Sequence, residues 1–291
     1  MLAAQLIMTD QAPVWFITGC STGFGRELAH VVLDHGHRVV ATARNIEKLS
    51  EFSGNANALT AELDVTDPAQ IVQVVAQASA HFGSIDVLVN NAGYLYFSAV
   101  ETGDDADIRA IFETNFFGAL NLCKAVLPGM RKRRRGHLVN ISSTGGQVSF
   151  PGVGYYTATK FALEGLSEAL SQECASFGVK VLIVEPGTFR TEWAGSSFKT
   201  GPDFPSEYDA SVGARLQRIK SLDGSKAPGD PVRGSEAIFA AIMAEEPPLR
   251  LVLGRGGYAM LHDKAKGLLS ELEVWRDLSL SADFPADEDA T

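Results

Sequence analysis

The chain has 291 residues, 45% of them apolar and 21% charged, with a net charge of −10. That composition is globular: it excludes a disordered, collagen-like or low-complexity chain and leaves ample apolar material for a large core. An acidic chain repels phosphate backbones, so nucleic acid is not an expected partner. The three widely separated cysteines, Cys20, Cys123 and Cys174, predict neither a disulfide framework nor a zinc site. The six histidines also lack metal-ligand spacing, and no metal is expected. The opening MLAAQLIMTDQAP is short and polar for a signal peptide, and no run approaches about 18 uninterrupted apolar residues. A soluble protein of the reducing cytoplasm is expected.

The first element is Val14-Trp15-Phe16-Ile17-Thr18, apolar on both faces as a buried parallel strand must be. Glycines follow at 19, 23 and 25, then an amphipathic helix from Arg26 to Leu33. The rhythm repeats. Arg38–Thr42 reads as a strand, Ile46–Phe52 as a short helix, and Asn57–Leu63 as a third strand closed by Asp64. Pro68 marks the first turn of a helix that carries Ile71, Val72, Val74, Val75 and Ala78. Asp86–Val89 is a fourth strand, and one long helix is predicted from about Ala106 to Met130, stopped by Gly136. Leu138–Ile141 is a fifth strand, Val153–Phe177 a second long helix closed by Gly178, and Val179–Val184 a sixth strand. A helix at Glu236–Ala244 and a strand at Leu251–Leu253 complete the pattern.

Strands alternating with helices along the whole chain predict one α/β domain, a doubly wound parallel sheet of about seven strands, with ligands at the carboxyl ends of the strands. Its core spans about 13–255. Residues 188–231, rich in Gly, Ser and Pro with Trp193, Phe198, Phe204 and Tyr208 spread through them, are expected to form a substrate lid after the sixth strand. A helical extension and an acidic tail occupy 256–291.

The loop Thr18-Gly19-Cys20-Ser21-Thr22-Gly23-Phe24-Gly25 has the spacing TGxxxGxG between a strand and a helix. Glycines let the backbone approach a pyrophosphate, and the helix N-terminus supplies free N–H groups and the positive dipole end. At the end of the second strand, Ala41-Thr42-Ala43-Arg44-Asn45 holds no acid to bind a ribose 2′-hydroxyl. It holds Arg44, whose guanidinium suits a 2′-phosphate, so NADP(H) is expected in preference to NAD(H). Ser21 and Thr22 add hydroxyls. Cys20 at the helix start is where a reactive thiol would be sought first.

Tyr156 and Lys160 stand four apart on the second long helix and share a face. A neighbouring cation favours a phenolate and lowers the tyrosine pKa. Tyr155 lacks this partner, because its i+4 residue is Thr159. The basic run Arg131–Arg135 ends a predicted helix, where cations meet the negative dipole end, and is read as structural.

TGxxxGxG, Asn90-Asn91-Ala92-Gly93 after the fourth strand, Asn115 in the long helix, Ser143, and Tyr156-xxx-Lys160 together resemble the short-chain dehydrogenase/reductase family. Pro186-Gly187-Thr188-Phe189-Arg190-Thr191 is similar to that family's PGxxxT turn, and the motifs extend from Val14 to Thr191. Ser143 lies thirteen positions before Tyr156, the family spacing, which selects it over Ser142. The resemblance implies a Rossmann-like sheet and hydride transfer between NADP(H) and a carbonyl or secondary alcohol. In it, Tyr156 is the proton donor or base, Ser143 polarises the oxygen, and Lys160 lowers the Tyr156 pKa and binds the nicotinamide ribose. Asn115 would hold a water that links Lys160 to solvent.

For the cofactor the resemblance implies contacts from Gly19, Ser21, Thr22, Gly23, Phe24, Gly25 and Arg44. Asp64 and Val65 would flank the adenine, Asn91, Ala92 and Gly93 the adenine ribose and chain, and Pro186, Gly187, Phe189 and Thr191 the nicotinamide. It also implies a homodimer or homotetramer through the two long middle helices. Lys160-Phe161-Ala162-Leu163-Glu164-Gly165 and Ala41-Thr42-Ala43-Arg44 are similar to the branch that includes 17β-hydroxysteroid and retinol dehydrogenases, which handle bulky apolar substrates. A non-catalytic NADP(H)-sensing regulator is the alternative. Such relatives lose the Tyr or the Lys, and this chain keeps both.

Overall fold

The computed structural model describes residues 12–191, 197–221 and 227–284. Trp193 and the end of the acidic tail lie outside the described residues.

Val14–Ile17 (β1) is buried on both faces, as its unbroken apolar run predicts. Helix Gly23–Asp34 (α1) leads to Arg38–Ala43 (β2), a 3₁₀ segment at Ile46–Phe52, and Ala58–Glu62 (β3). Helix Pro68–Phe82 (α2) begins with Pro68 in its first turn, where the missing N–H costs nothing, and Asp67 caps it by accepting from Ala69 N at 2.8 Å. Val87–Asn90 (β4) and a short strand, Leu95–Phe97 (β5), follow.

The predicted single helix over 106–130 is two helices, Asp105–Phe112 (α3) and Gly118–Arg133 (α4), joined by a wider π turn at Glu113–Phe117. Apolar periodicity cannot distinguish an i→i+5 turn from its i→i+4 neighbours, so the break was not legible. The stop is also different. Arg134, not Gly136, closes α4 with a left-handed φ of 55°, and Gly136 already belongs to Gly136–Ile141 (β6). The basic run serves this corner: Arg133 donates to Ile85 O at 2.6 Å and Arg134 to Ser176 O at 2.7 Å.

Gly154–Ala175 (α5) and Val179–Pro186 (β7) come next. Within the stretch expected to form a substrate lid, the described residues include Phe198–Thr200 (β8), a 3₁₀ turn at Ser206–Tyr208, a π turn at Asp209–Gly213 and helix Ala214–Ser221 (α6). Pro231–Met243 (α7), Arg250–Leu253 (β9), Arg255–Val274 (α8) and Arg276–Leu280 (α9) end the described chain.

Seven strands form one parallel sheet in the order β3-β2-β1-β4-β6-β7-β9, with no antiparallel pair. The order reverses between β1 and β4, which opens a crevice at their carboxyl ends, the place where doubly wound sheets bind ligands. Side chains alternate between two cores. Trp15, Ile17, Val39 and Val89 pack with Leu28, Val32 and Ile238 from α1 and α7. Phe16, Val40, Leu88 and Leu138 pack with Ile71, Leu122, Val126 and Leu170 from α2, α4 and α5. A third cluster, with Phe97, Val153, Val212 and Ile219 buried and Phe150, Phe198 and Phe204 against them, seats β8 and α6 against β5 and the start of α5. The β5–β8 pair, unpredicted from sequence, ties this part of the chain to the strand leaving β4. Among the described residues no helix is long and apolar enough to cross a membrane.

Candidate active site

The glycine loop leaves β1 and bends under the Asn91-Ala92-Gly93 turn. Gly19 has φ +71°, and a Cβ there would sit 3.1 Å from Ala92 Cα. Gly25 is packed closer still: a Cβ would lie 2.5 Å from Gly19 O and collide with the Asn91 amide. Only glycine permits this approach of helix start to loop. Thr18, quoted in the motif without a role, is the latch. Its Oγ1 accepts from Asn91 N and Ala92 N, each at 2.9 Å, while Asn91 Nδ2 donates to Thr18 O at 2.8 Å. The PGxxxT turn closes over the same loop, since a Cβ on Gly23 would lie 3.3 Å from Thr191 Cβ.

Ser21 and Thr22 are half-buried ahead of α1. Thr22 caps the helix without a side-chain hydrogen bond, and the first turn carries no acid. Its N–H groups therefore stay available to an anion, with the dipole's positive end beside them. Arg44 is exposed just beyond β2. Asp64, after β3, accepts from Thr66 N and Oγ1, and Val65 is buried under Gly118 at the start of α4. Pro186 ends β7, and Gly187 N donates to Leu253 O at 3.0 Å.

The Phe189 side chain is turned inward. Its ring is buried and packs on Phe24 at 4.9 Å between centroids, against Gly229 and Gly234. Both rings belong to the core, so at these two positions the backbone, not the side chain, is what the crevice meets. Cys20 is not an activated thiol. Its Sγ is buried and donates to Ile17 O, and burial pushes its pKa up to about 12, so the helix start does not activate it.

The catalytic candidates converge on the next strand ends. Ser143 follows β6 and caps a 3₁₀ turn, its Oγ accepting from Gly145 N at 3.0 Å. A Cβ on Gly145 would meet Ser143 Oγ and Tyr156 Cε1, both at 3.3 Å, so this glycine is the gap across which the two side chains face each other. Ser142 is turned to the other side of the turn, towards Glu164. Tyr155 is also excluded: its phenol donates to Val100 O at 2.6 Å.

Lys160 is buried, and its ammonium donates to Ile141 O at 2.8 Å, 5.9 Å from the Tyr156 ring centroid. Burial drives its pKa down to about 8, with the Glu164 charge acting against that. Tyr156 is not lowered as expected. Burial raises its pKa, opposed by a hydrogen bond from Ser143. The Lys160 ammonium is itself desolvated and turned to a carbonyl, which weakens its pull on the phenol.

Asn115 sits in the π turn at 2% exposure, and its side chain clamps the residue after Gly93. Nδ2 donates to Tyr94 O at 2.9 Å and Oδ1 accepts from Tyr94 N at 3.0 Å. The side chain is thus committed to the backbone of the turn after β4. A Cβ on Gly93 would lie 3.0 Å from Asn115 Oδ1 and 3.7 Å from Lys160 Nζ, so Gly93 leaves an open cradle beside the lysine. The glycine loop, the uncapped start of α1, Gly93 and Lys160 are the residues that would hold a nicotinamide dinucleotide, which would supply the hydride chemistry beside Ser143 and Tyr156.

As a test of the serine register, Ser143→Ala is expected to cut turnover at least tenfold and Ser142→Ala to leave it within a few-fold. Steady-state kinetics on both variants decide it, and the reverse ranking overturns the assignment.

The chain is similar to known proteins in sequence and fold. The family model of the short chain dehydrogenases matches residues 13–201. A 3-ketodihydrosphingosine reductase of Bacteroides thetaiotaomicron is 37% identical over 245 residues, covering 84% of this chain and 88% of that protein. A solved short-chain dehydrogenase from Streptomyces avermitilis superposes with a TM-score of 0.88 at 42% identity, covering 95% of this chain and all of that one. The closed form of a serine dehydrogenase complexed with NADP+ superposes at 0.71 with 28% identity, covering 82% and 94%. Motif spacing, sheet order and these likenesses agree, and the chain belongs to the short-chain dehydrogenase/reductase family of oxidoreductases.

Proposed function

We propose that the protein is an NADP(H)-dependent carbonyl reductase, working in reverse as an alcohol dehydrogenase, on a bulky and largely apolar substrate. The observation that carries this reading is Tyr156 facing Ser143 across Gly145, with Lys160 behind them at the Gly93 cradle. Bound nicotinamide supplies or accepts the hydride. The protein's own groups manage the oxygen and the proton. Ser143 Oγ donates a hydrogen bond to the substrate oxygen and stabilises the charge that develops there. Tyr156 Oη gives its proton to that oxygen in reduction and takes it back in oxidation. Lys160, as a cation, favours the phenolate left behind and offers its remaining N–H donors to the ribose hydroxyls at Gly93. Arg44, exposed just beyond β2, would pair with a 2′-phosphate.

The aromatic third cluster supports an apolar substrate side, because Phe97, Phe150, Phe198 and Phe204 gather where the lid segment meets β5 and the loop after Ser143. The likeness to a 3-keto reductase points the same way. A substrate-free regulator is less favoured, since it would have no need to keep Ser143, Tyr156 and Lys160 together. The deciding experiment is fluorescence titration with NADPH and NADH, followed by turnover on a panel of aliphatic, aromatic and polycyclic ketones. Binding without turnover of any carbonyl overturns the enzymatic reading.

The two middle helices are also the proposed oligomer surface. Phe117, the last residue of the π turn before α4, and Phe161 on α5 are 40% and 47% exposed, apolar rings that a second copy would cover. Light scattering is expected to give a dimer or tetramer at micromolar concentration, and a pure monomer refutes it.

A further inference from the structure

Behind Ser143 and Lys160 lies a second group of ionisable side chains that the proposed chemistry leaves unused. Glu164 stands one helical turn beyond Lys160, so Tyr156, Lys160 and Glu164 line one face of α5. Across from it, Glu185 on β7 is fully buried, and Glu164 is 5% exposed. Arg250 of β9 pairs with both: its Nε lies 3.2 Å from Glu164 Oε2 and 3.3 Å from Glu185 Oε1. Its Nη2 turns outward to Glu168 Oε1 at 2.5 Å. Gln147, from the turn after Ser143, donates to Glu185 Oε1.

The group touches the catalytic segment directly. Ser142 Oγ and Glu164 Oε1 converge over Gly146, where a Cβ would lie 2.5 and 2.8 Å from them. Ser142 Oγ, Glu164 Oε1 and Glu185 Oε2 are buried, and none has a hydrogen-bond partner among the described residues. The charged and titratable groups facing the pair are thus Lys160 and Glu168 on α5 and Arg250 on β9, with Ser142 and Gln147 as its polar neighbours.

Glu168 is half in solvent and satisfied there. That leaves two buried carboxyls sharing one edge of a single guanidinium, and like charges this close do not both ionise in a low dielectric. We propose that Glu164 and Glu185 hold one proton between them, and that the negative charge remaining on Glu164 is the counter-charge that keeps buried Lys160 cationic beside Tyr156. Neither carboxyl touches reacting atoms. They are positioning residues that act through Lys160, and the proposal rests on the Lys160–Tyr156 chemistry given above. A shared proton also gives one of the orphaned oxygens its donor. The titration directions agree. Burial and the neighbouring Glu164 push Glu185 up to about 7, burial raises Glu164 too, and Glu164 opposes the fall of Lys160.

The two isosteric variants have opposite expected signs. Glu164→Gln removes the counter-charge, so Lys160 loses its proton more readily. The alkaline limb of kcat/KM for ketone reduction moves down by about one pH unit, a tenfold change in proton affinity. Glu185→Gln removes the competitor, so Glu164 stays ionised, and the limb keeps its place or moves up. A merely structural pair would lower Tm and kcat in both variants and leave the limb where it is, which overturns the coupling. Infrared spectroscopy of the cofactor-free protein gives the independent readout. A buried protonated-carboxyl band is expected at neutral pH, lost on raising the pH and lost in Glu185→Gln. Its absence from the wild type overturns the shared proton even in an active enzyme. Its presence in a protein that reduces no carbonyl instead places the failure in the functional reading. If Glu164→Gln does not fold, the infrared band, present in the wild type and lost in Glu185→Gln, still decides.

Discussion

Tyr156→Phe is expected to lose at least about 100-fold in turnover while NADPH affinity stays nearly intact, the lower range for removing a general acid. The substitution keeps the ring that packs beside Gly145 and removes only the hydroxyl facing Ser143. Because the phenol is half-buried and its pKa is raised by burial, it stays protonated at neutral pH, as a donor in reduction must be. Oxidation needs the phenolate, so the alcohol-oxidising direction is expected to gain with rising pH until Lys160 itself deprotonates near pH 8. Steady-state turnover and cofactor fluorescence, measured on the same preparation, separate the chemical loss from any loss of binding. Near-wild-type turnover would move the role away from Tyr156. Tyr155 would be a poor substitute, since its hydroxyl is committed to Val100 O.

The second large effect concerns the cofactor. Arg44 is exposed at the end of β2 and makes no hydrogen bond or ion pair among the described residues, so its guanidinium is available to an incoming anion. A 2′-phosphate brings about −1.5 to −2 charges. A hydrogen bond to such a group is worth roughly 1.5–3 kcal/mol. At about 1.4 kcal/mol per tenfold, NADPH should be preferred over NADH by roughly 10- to 100-fold in kcat/KM. The double change Ala43→Asp with Arg44→Ala should reverse that order, because the new carboxylate accepts from the ribose hydroxyls and repels the phosphate. Ala43 is buried at the last position of β2, so the carboxylate costs the cofactor-free fold some stability, visible as a lower Tm that NADH restores. A wild-type protein that uses NADH as well as NADPH sinks the claim.

Much of the site was legible because its parts are local. Tyr156 and Lys160 share a face by helical spacing alone, and the glycine loop announces itself by turn chemistry between a buried strand and a helix. Asn115 was read from the motif as the holder of a water, and its side-chain bonds to the Tyr94 backbone could not be read there. Nothing local marks the π turn that aims its amide at Tyr94. Thr18 was in view as part of the motif, yet its work as a latch depends on a turn more than seventy residues away. Phe24 and Phe189 sit in cofactor motifs, and only their mutual packing turns both rings into the core.

The sequence by itself determined the order of strands and helices, the parallel sheet, the family, and which residue types gather at the carboxyl ends. These follow from periodicities and turn preferences that act over a few residues. Tertiary structure decided what those residues face. It set Ser143 toward Tyr156 and Ser142 toward Glu164, paired β8 with β5, and brought Glu164, Glu185 and Arg250 together from three separate elements. Such choices are made by contacts between residues distant in the chain, whose packing and desolvation balance exists only once the sheet has assembled, and a local pattern carries no record of it.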